Sequence, residues 1–361
     1  MVSRVITAAR IAGHGHALPP AIDHAAVWDG FFAAHYNGSA TAERIWRNAG
    51  ITTRHAVIDP RVEDVTSWST GARMRRFATE AMPLGKAAVA QALADAGLDA
   101  RDVGLLAVAS CTGYATPGLD ILLARDLGMA DDVQRLHIGH MGCYAALPGL
   151  GAVADFVVAR DRPAVLLCLE LTSLHVQPAT DNVQQMVAHA LFADAAAAIV
   201  LLPQGDAGEQ ARGLELVDVV ARTDVSTVDQ MTWDITDLGF RMGLSPKVPD
   251  VLARHIEPVV RTLLERHDLT IDNVAGWAIH TGGRRIVDVA AQQLHLPPAL
   301  AEPSYDVLRD VGNCSSATVL LVIERLLDAG TLNPGDPVVA MAFGPGLTLY
   351  AGLLRVSAGG C

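Results

Sequence analysis

The chain predicts a pseudo-symmetric α/β protein with layered helices and sheets. Three observations carry this. Short apolar runs of buried-strand length alternate with helical stretches along the 361 residues. The same order of elements runs twice. The spacing also repeats: 33 residues separate Ser110 from Cys143, 33 separate His280 from Asn313, and the two halves are offset by 170. Two βα-rich halves of like layout favour layers around a shared interior.

The elements follow in order. Residues 82–97 read as a helix ending at Gly97. LLAVAS at 105–110 is a short apolar strand, and residues 118–127 are helix-like. After Gly142 comes the alanine-rich helix CYAALPGLGAVADFVVA, in which Pro148 can introduce a kink near the start. Residues 164–170 (AVLLCLE) and 196–202 are buried strands. The second half predicts a helix over 249–266, a strand over 275–280 and a helix over 286–294. A helix over 315–329, opened by Gly312, and a strand over 337–343 complete it. Length alone suggests about two domains at ~150 residues each. The repeat divides the chain instead into halves at 1–205 and 206–361 that share one core.

Composition excludes several classes. With 51% hydrophobic and 18% charged residues the chain is not disordered. No apolar run of about 18–20 residues is visible, so no membrane span is expected. The first 18 residues lack the pattern of a secretory signal, which points to a cytoplasmic protein. Five cysteines (Cys111, Cys143, Cys168, Cys314, Cys361), widely spaced and without a CxxC pair, argue against a disulfide scaffold and a zinc site, so no metal is expected. A formal charge of −12 argues against broad nucleic-acid binding.

Four features can carry chemistry. Cys143 follows Gly142 and opens an alanine-rich helix. There the helix N-terminus favours thiolate, although an inert buried thiol fits equally. His280 ends an apolar strand before two glycines, and reads either as structural or as functional. Asn313 stands at a helix entry, where Asn is a common N-cap. Gly344-Pro345-Gly346 is a sharp turn. Ligands in open α/β sheets gather at the carboxyl ends of strands, which is where Ser110, Glu170, His280 and Phe343 fall.

Together these segments resemble the type III polyketide synthases, the chalcone-synthase-like family of thiolase-type condensing enzymes. The resemblance rests on GHMGCYAALPGL around Cys143, ELTSLH at 170–175 and ALFADAAAA at 190–198. It also rests on WAIHTGGRRI around His280, VGNCSSATVL around Asn313 and FGPGLTLY at 343–350. It implies a thiolase-like fold with an α-β-α-β-α core. It places Cys143 on the acyl-carrying nucleophile, with His280 and Asn313 as its partners, so that the nucleophile comes from the first half and its partners from the second. Phe192 and Phe240 fall on the phenylalanines that guard the passage to the cavity. Thr172, His175 and Ser315 fall on cavity-lining positions, and Thr112 and Thr116 on the segment that reaches the partner subunit's cavity. Arg44 and Arg285 fall on positions that meet coenzyme A phosphates.

The implied reaction is a decarboxylative Claisen condensation. Cys143 takes an acyl starter, malonyl thioesters extend it, and a pyrone or a phenolic, resorcinol-type product leaves. The resemblance implies no permanently bound cofactor; acyl-CoA and malonyl-CoA, or acyl carrier protein thioesters, serve as substrates. It implies a homodimer, with an acyl carrier protein as a further candidate partner. Seven arginines between residues 42 and 77, against four acids, suit a phosphorylated carrier, although a solvated helix face accounts for most of them and only Arg44 and Arg285 are singled out. The chain departs from the plant pattern at Thr281 and Arg284, at Ala193-Asp194-Ala195, and at His175, Thr116 and Tyr350. Two other readings stand beside this one: a single coupling of two carrier-bound acyl chains, and a non-catalytic acyl- or CoA-binding protein on the same scaffold.

Overall fold

The computed structural model describes residues 8–204 and 213–357. The boundary drawn between 205 and 206, and Cys361, lie outside the described residues. Thirteen strands are described: β1 (Ala9–Ala17), β2 (Ala21–Asp23), β3 (Thr53–His55), β4 (Leu105–Ser110), β5 (Gln134–Gly139), β6 (Ala164–Glu170), β7 (Ala195–Pro203), β8 (Leu214–Thr223), β9 (Met231–Thr236), β10 (Gly239–Leu244), β11 (Gly276–Ile279), β12 (Pro337–Gly344) and β13 (Thr348–Val356). Nine of them hydrogen-bond in the order β11-β12-β13-β8-β1-β7-β6-β4-β5.

The internal repeat is visible in that order. β4-β6-β7-β1 and β11-β12-β13-β8 run in the same sequence, each with one parallel pair followed by two antiparallel pairs. The blocks join where β1 and β8 pair antiparallel, through Arg10 with Glu215 and Ile11 with Leu214. β5 extends the first block; in the second, the corresponding interval holds the helices Arg284–Gln293 and Pro298–Asp310.

The layers follow from which faces are apolar. Helix Ala146–Arg160 packs on strands of both blocks and against helix Ala317–Asp328, which touches β6, β7, β11 and β12. These two helices form the middle layer. Helix Thr70–Asp95 covers β1, β6 and β7 from outside, and helix Val248–Glu265 covers β8 and β13. Along β4 and β6, Ala107, Ala109, Leu166 and Cys168 join the central core, while Leu106, Val108, Val165 and Leu167 join the core under Thr70–Asp95. Successive strand side chains point to opposite faces. Strands buried on both faces therefore read as continuous apolar runs without alternation.

Several elements differ from the sequence reading. The helix expected over 82–97 spans Thr70–Asp95, with Ser69 accepting from the Ala72 amide at its start. Its first turns are largely polar and give no apolar run. The hairpin β9–β10 and the antiparallel pairing of β2 with β3 were not foreseen. Pro148 falls in the first turn of its helix, where no intrahelical donor is lost. The helical stretch Gly142–Arg160 is, by length and composition, apolar enough to cross a membrane, but more than half of it is buried inside the protein as the middle layer.

Candidate active site

Cys143 sits in the 3₁₀ turn Gly142–Tyr144, and the long helix begins three residues later at Ala146. Gly142 has φ +74°, and a Cβ there would lie 2.7 Å from Cδ of Pro345. The Gly344-Pro345-Gly346 turn therefore packs directly on the cysteine turn, and only glycine fits between them. Burial pushes the Cys143 thiol up to about 12, while a hydrogen bond from Ser315 and one from the backbone pull it down. The thiolate expected from a helix end is thus opposed by burial, which favours the neutral thiol.

His280 stands one residue past β11, with its amide donating to the Met341 carbonyl at 2.8 Å. Its imidazole is buried and lowered to about 3 by that burial. Its Nδ1 has no hydrogen-bond partner. Asn313 is not a helix cap, since the helix starts at Ala317 with Ser316 in the cap position. Its Oδ1 accepts from the Ser315 amide at 2.9 Å, and its backbone bridges to Phe192 across the two halves.

Cys143, His280 and Asn313 open onto one cavity of about 610 Å³. Apolar walls come from Val187, Leu191, Leu244, Leu252 and Phe343, and the exposed Arg284 and Arg285 stand on its rim. Arg285 reaches Asp250 at 3.5 Å. Arg44 is exposed on helix Ala40–Arg47 and does not border the cavity, although Ile45 and Asn48 beside it do.

A second, inner cavity of about 50 Å³ is bordered by Thr172, His175, Trp233 and Phe240. Two residues, Phe192 and Met242, border both cavities. Phe240 borders the inner cavity, its ring stacked on His175 at 4.5 Å. Phe240 and Met242 are on β10, two positions apart and on the same face.

The remaining candidates divide. His175 accepts the Phe240 amide at Nδ1 (3.0 Å), and its Nε2 pairs with the Thr112 carbonyl at 2.7 Å. Thr172 donates to the Ala193 carbonyl at 2.9 Å. Thr112 and Ser315 border neither cavity. Thr112 donates to Glu170 at 2.8 Å, and Ser315 lies 3.5 Å from Cys111 Sγ. Thr116 is exposed and borders a separate surface pocket with Phe77, Tyr114 and Pro117. Sequence reasoning placed Glu170 at a strand end but missed its function as a buried hub. Its carboxylate accepts from Ser316 (2.6 Å), Thr112 (2.8 Å) and the Cys111 amide (3.0 Å). Burial raises its pKa against those donors.

The arginine-rich segment is mostly not a phosphate patch. Arg54 is buried and donates to the carbonyls of Ala190 (2.6 Å) and His189 (2.9 Å), with its guanidinium over Trp46. Arg73 is fully buried and donates to the carbonyls of Val65 (2.7 Å) and Trp68 (2.9 Å). Arg47, Arg61 and Arg76 pair with Glu43, Asp59 and Glu63 or Glu80. A formal charge count does not show which arginines are occupied internally.

Residues 9–204 match the N-terminal domain of chalcone and stilbene synthases, and residues 219–357 match their C-terminal domain. The 1,3,6,8-tetrahydroxynaphthalene synthase of Streptomyces peucetius subsp. caesius is 35% identical over 88% of this chain and 84% of its own length. The alpha-pyrone synthesis polyketide synthase-like protein Pks18 of Mycobacterium tuberculosis is 32% identical over 87% of this chain and 81% of its own. The crystal structure of PKS-I from the brown alga Ectocarpus siliculosus superimposes with a TM-score of 0.89 at 29% identity, covering 98% of this chain and all of that one. With both domains matched in order and the thiolase-type fold shared, the chain belongs to the chalcone and stilbene synthase family, the type III polyketide synthases, and is an acyltransferase.

Proposed function

We propose that Cys143 carries the growing acyl chain and that His280 and Asn313 stabilise the enolate formed when a malonyl thioester loses CO₂. The observation that carries this reading is the convergence of the three side chains, drawn from two halves, on one largely apolar cavity. Burial favours a neutral thiol and a neutral imidazole at rest. Attack on the starter thioester then moves the thiol proton to His280 as the sulfur–carbon bond forms, and the carrier leaves as a thiol. Malonyl decarboxylation generates its own carbanion, so what the site must supply is hydrogen-bond donors for the enolate oxygen. The enolate carbon attacks the Cys143 thioester, the carbon–sulfur bond to Cys143 breaks, and the chain, two carbons longer, is left as the carrier thioester, from which Cys143 takes it back by thioester exchange before the next extension. Apolar walls keep water from the thioester.

The donor is a coenzyme A thioester, with Arg284 and Arg285 on the rim suited to its phosphates. The inner cavity beyond Phe192 and Met242 is nearly filled by the stacked His175 and Phe240. This favours few extensions and a compact pyrone or phenolic product. The active species is a homodimer in the cytoplasm, and the exposed Tyr114 and Thr116 segment faces the partner. Family membership favours repeated extension over a single coupling of two carrier-bound chains.

The test is mass spectrometry of the protein after incubation with a panel of acyl-CoA starters and labelled malonyl-CoA. The wild type gains the starter mass and releases labelled product. Cys143→Ala should do neither, and acylation that survives this change would overturn the assignment.

A further inference from the structure

His14, Glu324 and Asp328 lie together on the surface where the two halves meet, outside both cavities of the active site. They are distant in sequence, and for that reason the sequence pointed to no metal. His14 and His16 project from one face of β1, and Glu324 and Asp328 are one turn apart on helix Ala317–Asp328.

The two ring nitrogens of His14 have different surroundings. Nδ1 is 3.3 Å from Oδ2 of Asp95, and that oxygen also accepts the His14 amide at 2.9 Å. Nε2 lies 3.6 Å from Oδ1 of Asp328 and 3.8 Å from Oε1 of Glu324. One ligand-type atom from each of the three residues lies within 4.8 Å of the other two. Glu324 is only 9% exposed, and its Oε1 pairs with Nδ1 of His16 at 2.8 Å.

We propose that this cluster is a binding site for one divalent transition-metal ion of the zinc class, held by His14 Nε2, Glu324 and Asp328. An imidazole with two carboxylates is a donor set that such ions take. Bonds of ~2.0–2.2 Å in tetrahedral geometry put neighbouring ligand atoms ~3.4 Å apart, close to the two separations from His14 Nε2. Asp95 on the far ring nitrogen and His16 on the carboxylate are the orienting partners that metal ligands ordinarily have. A cleft of about 260 Å³ bordered by His14, Asp95 and Asp328 gives the ion an entry path and leaves a fourth position open. His14 belongs to the first half and the two carboxylates to the second, so the ion fastens the halves together. It takes no part in condensation.

The experiment uses the full untagged chain stripped with a chelator. Zn²⁺ is titrated by calorimetry, and Co²⁺ is followed by its visible absorption. The expected result is one equivalent bound, with a rise in the thermal midpoint. His14→Gln and Asp328→Asn should each weaken binding at least about tenfold, and Asp95→Asn by roughly 10–100-fold, as for other orienting partners. Product formation from acyl-CoA and malonyl-CoA should be unchanged in all three. If His14→Gln does not fold, Asp328→Asn at its exposed position decides. Absence of saturable binding, or an isotherm the same in wild type and variants, means that a protonated His14 among its carboxylates is all the cluster contains, and overturns the proposal.

Discussion

Phe192 and Asn313 form an isolated parallel bridge between the two halves of the chain. The Ala193 amide donates to the Asn313 carbonyl at 2.9 Å, and the Asn313 amide donates to the Leu191 carbonyl at 3.1 Å. The Phe192 ring and the Asn313 carboxamide, which border the same cavity as Cys143, are therefore positioned by one pair of hydrogen bonds.

Gly312 sits next to this bridge at φ +93°, where a Cβ would lie 2.9 Å from Cβ of Ala193. Gly312→Ala should cost roughly 1–3 kcal/mol of stability for its backbone conformation. It should also lower condensation more than starter loading, because it displaces Asn313. Urea unfolding and separate assays of acylation and of malonyl decarboxylation check this; equal losses in both reactions would argue against it.

Removing a donor from the enolate site should slow extension while sparing loading. Asn313→Ala should lower malonyl decarboxylation by about 10²–10³-fold, the usual effect of losing one such donor. Starter acylation of Cys143 should remain measurable by mass in the same variant.

The two residues on β10 should separate in their effects. Met242→Ala removes part of the wall between the two cavities and should change both the starters accepted and the length of the product. Phe240→Ala opens only the inner cavity and should change product length alone, with a loss of about 3–5 kcal/mol for the deleted buried ring. Product masses from one starter series distinguish them. Identical product spectra would show that the junction lies elsewhere.

Stability should fall on acidification. His24, His175, His189 and His280 are each lowered by burial to about 3, against about 6.5 in an unfolded chain. Between those values the unfolded state binds the extra protons, so each imidazole withdraws up to about 1.4 kcal/mol per pH unit as pH falls from about 6.5. Glu170 and Asp194, whose pKa values are raised by burial, act in the opposite direction but are fewer. The urea midpoint should therefore drop steadily from pH 6.5 towards pH 4. A flat profile over that range would mean that these imidazoles are not held neutral in the fold.

Much of the architecture was legible because buried strands and amphipathic helices leave local marks. AVLLCLE reads as a strand from its own composition, and β6 has the expected bounds. The polar opening of the helix from Thr70, the short hairpin β9–β10 and the pairing of β2 with β3 leave no such marks, and they were found only in the structure. Glu170 stands at a strand end in either reading, but its donors come from Ser110, Cys111, Thr112 and Ser316, and folding alone gathers them.

The sequence by itself determined the repeated α/β order and the family, and it singled out Cys143, His280 and Asn313 as candidates, since these are properties of local pattern and motif. Tertiary structure decided the rest. It set Met242 beside both cavities and Phe240 beside the inner one, put Arg54 and Arg73 in the interior, favoured neutral forms of Cys143 and His280, and brought His14 to Glu324 and Asp328. Each of these depends on which faces of distant segments meet and how much water they exclude. Burial and cross-chain distance are set by packing, and no window of neighbouring residues contains them.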